Sequence, residues 1–419
     1  MTSIATLRAR RTIYRKPRIV PFLQTEAARE HSIRRRVTLA WCLLFLNALG
    51  YIGSLIHLPG FVGKAITQGA LPLALLVALS INRRVVLRPN VFPVLMSLLV
   101  IEALLTALQP QYFGTIYRTV RLAEFIVTLW LLTPWWGRRD MLLLRSHLTM
   151  LVIIISSVLA GLLIAPGLAR SGGRLGGLLW YIPPTQVAHY AAVLIGLVVV
   201  MWLCGHASGK VTLLVTLVVG TVLVMTHTRT ALVGMVAGIL IAGLSMLVAK
   251  ARVRKLFAVG GFLAAIAIMT LSGVLTTWLA RGEGSQELTN LTGRTKVWGP
   301  LLAFPRDTFQ EIFGTGLSNS SFNGLPIDST WLAAYQEQGL FGDVVCGAIL
   351  LFLLVVAYFQ VRGVQRALAL FLVVYCLVAT FTETGFNDVT PYVLDLTLAA
   401  SMLVSPVAAR YRHERGAEP

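Results

Sequence analysis

Charged residues are scarce in this sequence: Asp, Glu, Lys and Arg make up 13% of it, whereas 56% of the residues are hydrophobic. A soluble globular protein has roughly 25% charged residues, so the shortage excludes an ordinary soluble domain. Acidic residues are the rarer kind, and the formal net charge is +19. The basic residues stand in short clusters between apolar stretches. This pattern is typical of membrane anchoring and argues against a nucleic-acid partner.

Cysteine is also rare. The four cysteines all fall inside apolar stretches, and none belongs to a CxxC pair. This arrangement excludes a disulfide framework and a zinc-binding cysteine motif, and it predicts buried, apolar side chains. No histidine pair has metal-ligand spacing, and no nucleophile elbow, Walker loop or dinucleotide fingerprint is present. We therefore predict no metal and no cofactor.

Long apolar runs, by contrast, are abundant. A membrane-spanning helix needs about 20 predominantly apolar residues, and twelve stretches meet that requirement approximately. The sequence therefore predicts an all-α, polytopic transmembrane helix bundle of about 12 spans. The stretches are 37–57, 62–82, 91–108, 118–136, 141–164, 187–204, 211–227, 230–249, 256–276, 331–358, 365–382 and 391–408.

The distribution of positive charge predicts the orientation. With the N-terminus in the cytoplasm, 26 of the 36 Lys and Arg residues fall on the cytoplasmic side, as the positive-inside rule requires. Residues 1–36 then form a basic cytoplasmic tail, residues 37–408 a transmembrane domain, and residues 409–419 a second cytoplasmic tail. Two long loops, near 165–186 and 277–330, lie on the outer face, and the aromatic residues of the second loop favour a folded segment.

Several arginines are left on that outer face. Arg174 lies in Gly-Gly-Arg-Leu-Gly-Gly, Arg229 in Thr-His-Thr-Arg-Thr and Arg294 in Thr-Gly-Arg-Thr. Arg118 and Arg121 are one helical turn apart and are predicted to face the same side. A guanidinium donates two parallel hydrogen bonds to anionic oxygens and stays charged, so converging arginines would hold a phosphate or pyrophosphate. Snorkelling to lipid headgroups is the alternative for each of them singly.

Acidic residues on the same face are candidates for chemistry. Asp328 ends the long loop where an apolar stretch begins, so it could cap a helix or act as a general base. Glu124 is predicted to pair with Arg121 along one helix. Further candidates on this face are His227, Glu337 and Glu383.

A series of short motifs runs through the polar loops in a fixed order. The segments are 173–177 (Gly-Arg-Leu-Gly-Gly) with Pro184, 228–232 (Thr-Arg-Thr-Ala-Leu), 292–295 (Thr-Gly-Arg-Thr) with Trp298, 313–317 (Phe-Gly-Thr-Gly-Leu), 328–330 (Asp-Ser-Thr) and 337–342 (Glu-Gln-Gly-Leu-Phe-Gly). Together they resemble the motifs of the O-antigen ligase and O-antigen polymerase superfamily. Asp328 and Ser329 stand where that family has a His-Asn pair, and the Gly-x-x-Gly that follows keeps the family spacing.

The resemblance implies a metal-independent, inverting membrane glycosyltransferase of the C-type architecture. Its donor would be a polyprenyl-pyrophosphate-linked glycan, and its acceptor a hydroxyl of a glycan, lipid or cell-wall component. Arg174, Arg229 and Arg294 would bind the donor pyrophosphate, with Arg229 and Arg294 also assisting the reaction, and Asp328 would be the base. His227 or Glu383 could hold that role instead, because Asp328 replaces the family histidine. Ligase and polymerase activities both remain open.

The implied location is the bacterial cytoplasmic membrane, with the active site on the extracytoplasmic face and membrane lipids as neighbours. Two other functions fit the same composition. A transporter or flippase of lipid-linked oligosaccharide would place its polar residues at the middle of the membrane on broken helices. A non-catalytic scaffold of a polysaccharide assembly complex would be consistent with the missing histidine.

Overall fold

The computed structural model describes residues 21–55, 59–109, 113–138, 140–247, 253–255, 294–318 and 320–404. These residues are mostly helical, with two very short antiparallel hairpins. The helices are α1 (Pro21–Leu49), α2 (Gly60–Ile81), α3 (Val91–Ala107), α4 (Phe113–Leu132), α5 (Leu142–Ile164), α6 (Pro166–Ala169), α7 (Pro184–Leu203), α8 (Gly209–Met225), α9 (Arg229–Met246), α10 (Thr295–Ala303), α11 (Thr308–Phe313), α12 (Thr330–Phe359), α13 (Val364–Ala379) and α14 (Pro391–Leu403). The strands are β1 (Arg170–Ser171), β2 (Arg174–Leu175), β3 (Ser321–Phe322) and β4 (Leu325–Pro326).

Five of these helices, α2, α5, α7, α9 and α12, are long and apolar enough to cross a membrane. Helices α3, α8, α13 and α14 are equally apolar but shorter, with 10–17 residues each. Every predicted span overlaps a described helix except the stretch 256–276, which lies outside the described residues together with residues 277–293 of the predicted outer loop. A helical membrane protein is the class that these elements indicate.

Helix α13 lies in the interior and packs against α7, α9, α12 and α14. Small residues allow this close approach. A Cβ added at Gly196 of α7 would overlap the Phe371 ring, and one at Gly238 of α9 would come within 2.8 Å of the Phe371 carbonyl oxygen. Gly234, one turn earlier on α9, faces Tyr375 in the same way. The position of α13 fixes the loop that follows it, where the candidate site is found.

Two-residue turns close both hairpins. Gly172 and Gly173 join β1 to β2 with φ angles of 57° and 75°, and Asn323 and Gly324 join β3 to β4 with φ angles of 51° and 79°. A type I′ hairpin turn needs a positive φ at both central residues, and Gly-Gly and Asn-Gly supply it. The first hairpin places Arg174 directly after its turn, and the second leads into Asp328.

Helix α12 is broken at Gly339, where φ is 64° and ψ is −163°. The break frees two carbonyl groups of the first part of the helix. Thr315 donates its N–H to the Gln336 carbonyl at 3.0 Å, and Gly316 donates to the Glu337 carbonyl at 2.8 Å. The Gly-x-Gly motif therefore replaces hydrogen bonds that a continuous helix would make for itself.

Candidate functional site

The centre of the candidate site is the segment 380–383, which follows α13. The Thr380 carbonyl accepts the Thr330 backbone N–H at 2.9 Å, and the Thr330 hydroxyl donates to the Glu383 carbonyl at 2.7 Å. The Thr382 hydroxyl donates to the Thr230 hydroxyl at 2.6 Å. These bonds tie the segment to the N-termini of both α12 and α9.

Arg294 and Asp328 meet at this segment. Arg294 donates from Nη2 to the Thr382 carbonyl at 3.0 Å, and its Nε lies 3.7 Å from Oδ2 of Asp328. The Asp328 side chain is 42% exposed. The expectation that Asp328 caps a helix is wrong: the N-cap of α12 is Ser329, which makes no side-chain capping bond, and Asp328 precedes it with a φ of 47°. Its carboxylate is therefore open to a ligand.

The second hairpin fixes Asp328 in place. Ile327 is fully buried, and its N–H donates to the Ser320 carbonyl at 3.0 Å. The Trp298 indole Nε1 donates to the Ile327 carbonyl at 2.7 Å. Trp298 lies one helical turn after Arg294 in α10, so one short helix positions both members of the Arg294–Asp328 pair.

Arg174 and Arg229 are both associated with the turn before α9 and the start of that helix. Arg174 donates from Nε to the Thr226 carbonyl at 3.0 Å and from Nη2 to the Thr228 hydroxyl at 3.1 Å. Arg229 begins α9, and its buried Nε and Nη2 atoms have no hydrogen-bond partner among the described residues. The Nε of Arg294 is likewise buried without a hydrogen bond in that part of the chain. Two of the three arginines thus retain unused donors.

Glu383 is the acidic group between these arginines. Its pKa is raised to about 7, mainly by burial and also by the negative charge of Asp328, while Arg294 and Arg174 oppose the shift. Burial lowers the pKa of the Arg174 guanidinium, and the charge of Glu383 opposes this. These interactions place two arginines and two carboxylates in one electrostatic neighbourhood. A carboxyl with a pKa near 7 can take or release a proton at neutral pH.

The other predicted candidates have different surroundings. Glu337 is buried, and its Oε1 accepts four hydrogen bonds from the backbone and hydroxyl groups of Ser318 and Ser320 at 2.8–3.2 Å. Its Oε2 accepts from Asn387 at 2.8 Å. It therefore holds two loops together and presents no free oxygen to a substrate. His227 lies in the turn between α8 and α9 with a φ of 50°, half-buried and two residues from Arg229.

Arg118 and Arg121 both bind Asp388, at 3.1 Å and 3.5 Å. Arg121 also donates to the Asn47 side chain at 3.1 Å and to the Val389 carbonyl at 3.2 Å. The predicted pairing of Arg121 with Glu124 is wrong, because a carboxylate more than 260 residues away in the sequence takes this arginine. Sequence spacing alone could not reveal that partner.

The structure contains a buried polar cluster, formed by His147, His189 and Asp395, that the sequence does not predict. Asp395 of α14 lies 3.0 Å from Nε2 of His147 and 3.2 Å from Nε2 of His189. Nδ1 of His189 lies 3.1 Å from the Tyr375 hydroxyl. The signal was present in the sequence, because an Asp within an apolar stretch is costly without a partner.

The chain matches no protein-family model and no curated protein. The resemblance described above therefore rests on its motifs and their order.

Proposed function

We propose that the chain is a membrane glycosyltransferase that transfers or polymerises a polyprenyl-pyrophosphate-linked glycan at the outer leaflet. The observation that carries the proposal is that Arg174 and Arg294 act on an acidic pair, Asp328 and Glu383, while Arg229 begins the helix whose Thr230 is bonded to Thr382. Such a set of groups suits an anionic leaving group and an acceptor hydroxyl in one site. The resemblance to the O-antigen ligase and polymerase superfamily points to the same chemistry.

Two helix N-termini add to the anion-binding character. Helix α9 begins at Arg229 and helix α12 at Thr330, and neither has a side-chain capping bond. The N-terminal end of a helix carries partial positive charge and is suited to phosphate oxygens. Three guanidinium groups and two helix ends supply a positive field without a metal ion.

In the proposed reaction, the acceptor hydroxyl oxygen attacks the anomeric carbon of the donor sugar. The bond from that carbon to the pyrophosphate oxygen breaks, and the electron pair leaves with polyprenyl pyrophosphate. Asp328 takes the hydroxyl proton, and the arginines stabilise the charge that develops on the leaving group. Direct displacement inverts the configuration at the anomeric carbon. Glu383 sets the net charge of the site through its own protonation.

The proposal includes the membrane arrangement. The chain would cross the bacterial cytoplasmic membrane about twelve times, with both termini in the cytoplasm. Helix α5 separates two polar ends: Arg138 precedes it and binds Glu30 at 2.6 Å, and Arg174 follows it. The site of Arg174 would then face the extracytoplasmic side, where the sugar-bearing lipid is presented.

A specific observation favours one rival function. The cluster of His147, Asp395 and His189 lies inside the helix bundle, and buried ionisable groups of this kind mark proton or substrate pathways in transporters. A flippase of lipid-linked oligosaccharide would use such a cluster, whereas a transferase needs only the site at segment 380–383. A non-catalytic scaffold would need neither.

Reconstitution of the full chain tests the proposal. The purified protein in liposomes receives a synthetic polyprenyl-pyrophosphate-linked glycan and its acceptor, and the release of polyprenyl pyrophosphate is measured. We expect R294A and D328N each to lower the rate by at least about 100-fold, because each removes a transition-state contact. K296A is the matched control, since Lys296 is an exposed cation two residues from Arg294.

The outcomes separate the three functions. Release by the wild type and K296A but not by R294A supports the transferase. Movement of the glycan lipid across the bilayer without release of polyprenyl pyrophosphate indicates the flippase. If the folded protein shows neither activity, the result indicates the non-catalytic scaffold.

A further inference from the structure

A cavity of about 830 Å³ lies at the end of α5 opposite Arg174. Its walls come from the N-terminal half of α1, the loop that follows α2, and the turn that follows α4. Four arginines line it: Arg29, Arg36, Arg83 and Arg84. None of the site residues described above contributes to it.

These four arginines differ from their neighbours in charge balance. Arg34 lies 3.2 Å from Glu30 and 3.4 Å from Asp140, and Arg138 binds the same two carboxylates at 2.6 Å and 3.1 Å. The four cavity arginines form no ion pair with any acidic residue that the structure describes. Of the acidic side chains that the structure describes here, Glu30 and Asp140 are both paired with Arg34 and Arg138. Neither of them balances the positive charge of the cavity arginines.

The loop that carries Arg83 and Arg84 is held firmly. Asn82 donates to the Val86 carbonyl at 2.7 Å and to the Leu131 carbonyl at 3.1 Å. Its Oδ1 accepts the Val86 N–H at 2.9 Å, and the Arg88 N–H donates to the Thr133 hydroxyl at 3.0 Å. The loop is thus bonded to itself and to the end of α4, so its two arginines approach the cavity from a fixed backbone.

The rest of the lining is amphipathic. The apolar surface comes from Ile33, Ile81, Val86, Pro134 and Trp135, and Ser32 and Ser80 are further polar residues of the lining. Tryptophan is enriched at the headgroup level of membranes. A ligand with an anionic head and an apolar part would use both kinds of surface.

We propose that this cavity binds a phosphate ester, either the headgroup of an anionic phospholipid or a soluble phosphate compound. Arginine is the preferred partner of phosphate oxygens because its planar fork donates two parallel hydrogen bonds. Four such groups around an opening of this volume match a phosphodiester better than a carboxylate. The proposal is independent of the transferase function, because its residues lie at the other end of α5.

The test measures thermal unfolding of the purified full chain in detergent micelles. Phosphatidylglycerol is added in one arm, phosphatidylcholine in a second, and soluble glycerol 3-phosphate in a third. A ligand that binds the folded state raises the unfolding temperature, and at a given ligand concentration a tighter ligand raises it more. The variant R36Q/R83Q/R84Q is compared with R34Q, which removes an arginine of the same helix whose charge is already balanced.

We expect phosphatidylglycerol to stabilise the wild type and R34Q. For R36Q/R83Q/R84Q the apparent affinity should fall at least about tenfold, since each basic residue near a membrane surface adds to the attraction. Stabilisation by phosphatidylglycerol alone identifies the lipid as the source, and stabilisation by glycerol 3-phosphate as well identifies the phosphate group. The proposal is wrong if phosphatidylglycerol raises the unfolding temperature of the wild type and of the triple variant equally. It is also wrong if R34Q loses as much apparent affinity as the triple variant. If the triple variant does not fold, R83Q alone is measured, because Arg83 is exposed.

Discussion

At the scale of single residues, the balance between carboxylates and arginines decides what the candidate site can bind. Asp328 and Glu383 disfavour each other's charge, and the raised pKa of about 7 for Glu383 follows from burial and from that repulsion. Near neutral pH, Glu383 is therefore only partly ionised. In the proposed function, the guanidinium groups carry more charge than the acidic pair when Glu383 is protonated, and that surplus would serve the donor pyrophosphate.

The first residue-scale prediction concerns the pH dependence of anion binding. Below about pH 7 Glu383 is protonated and neutral; above it, the carboxylate competes with a bound anion for Arg174 and Arg294. We expect the affinity for inorganic pyrophosphate to fall between pH 6 and pH 8, and to fall several-fold more in the wild type than in E383Q. The titration of one group can account for at most a tenfold difference per pH unit. Isothermal titration calorimetry measures both.

E311Q is the control for that experiment, because Glu311 is an exposed carboxylate of α11. The titration of pyrophosphate itself is common to all variants and cancels in the comparison. Identical pH profiles for the wild type and E383Q would show that Glu383 does not control the charge of the site.

The second residue-scale prediction concerns the buried cluster around Asp395. This carboxylate pairs with His147 and His189, and both contacts are buried. D395N should lower the free energy of unfolding by about 2–4 kcal/mol, because it removes the carboxylate that lies within ion-pair distance of two buried histidines. The shift in thermal unfolding temperature of the purified protein measures this.

Asp343 of α12 offers a control of the opposite sign. Unlike Asp395, it forms no ion pair with any residue that the structure describes, and its Oδ1 is buried without a hydrogen bond there. D343N removes no histidine contact and leaves one unsatisfied carboxyl oxygen fewer, so the same assay should show unchanged or higher stability. If D343N lowers the unfolding temperature as much as D395N does, then any Asp-to-Asn change in the bundle destabilises the protein. The loss in D395N could then not be assigned to its two histidine contacts.

At the scale of secondary-structure elements, the break in α12 explains two glycine motifs together. A Cβ at Gly339 would overlap the backbone of Ile312, and a Cβ at Gly314 would overlap the backbone at Glu337. The two glycines therefore permit one close backbone crossing. That crossing orients the first part of α12, which begins two residues after Asp328.

We predict that G339A destabilises the protein strongly. The residue has a backbone conformation that only glycine adopts easily, and the added methyl group has no room, so a loss of at least about 2–3 kcal/mol is expected. Thermal unfolding measures the loss. G220A is the matched control, because Gly220 lies inside α8 with open space around it and alanine is the better helix former there. A G339A protein as stable as G220A would contradict the crossing.

Sequence reasoning located the elements better than their contacts. Apolar runs gave the helices because burial of a helical backbone in lipid leaves a strong compositional signal. The hairpins were not predicted, since strands of two residues carry no periodicity. The sequence suggests a helix cap at Asp328, but its backbone has a positive φ that follows from the hairpin of β3 and β4. Sequence spacing does not reveal that conformation. Segment 380–383, which joins Arg294 to α9, is recognisable only when the helices are packed.

At the scale of the whole molecule, two of the arginine groups that the structure describes lie near opposite ends of one helix, α5. The arginines of the candidate site follow one end of α5, and the cavity arginines lie beside its other end. Helix α5 has 23 residues, which corresponds to about 34 Å, slightly more than the hydrocarbon thickness of a bilayer. The two arginine groups therefore lie far enough apart to face opposite sides of a membrane.

This separation leads to the prediction of membrane sidedness. Single cysteines replace exposed arginines in R170C, beside the candidate site, and in R84C, at the cavity. The native cysteines should react little with the label, because Cys204, Cys346 and Cys376 are buried and Cys42 is half-buried.

An impermeant maleimide added to intact bacterial cells should label R170C and not R84C. Permeabilisation should expose both, since the positive-inside rule places the cavity in the cytoplasm. Labelling of both from outside would contradict the span arrangement. The reverse pattern would put the candidate site in the cytoplasm and remove the outer-leaflet donor from its reach.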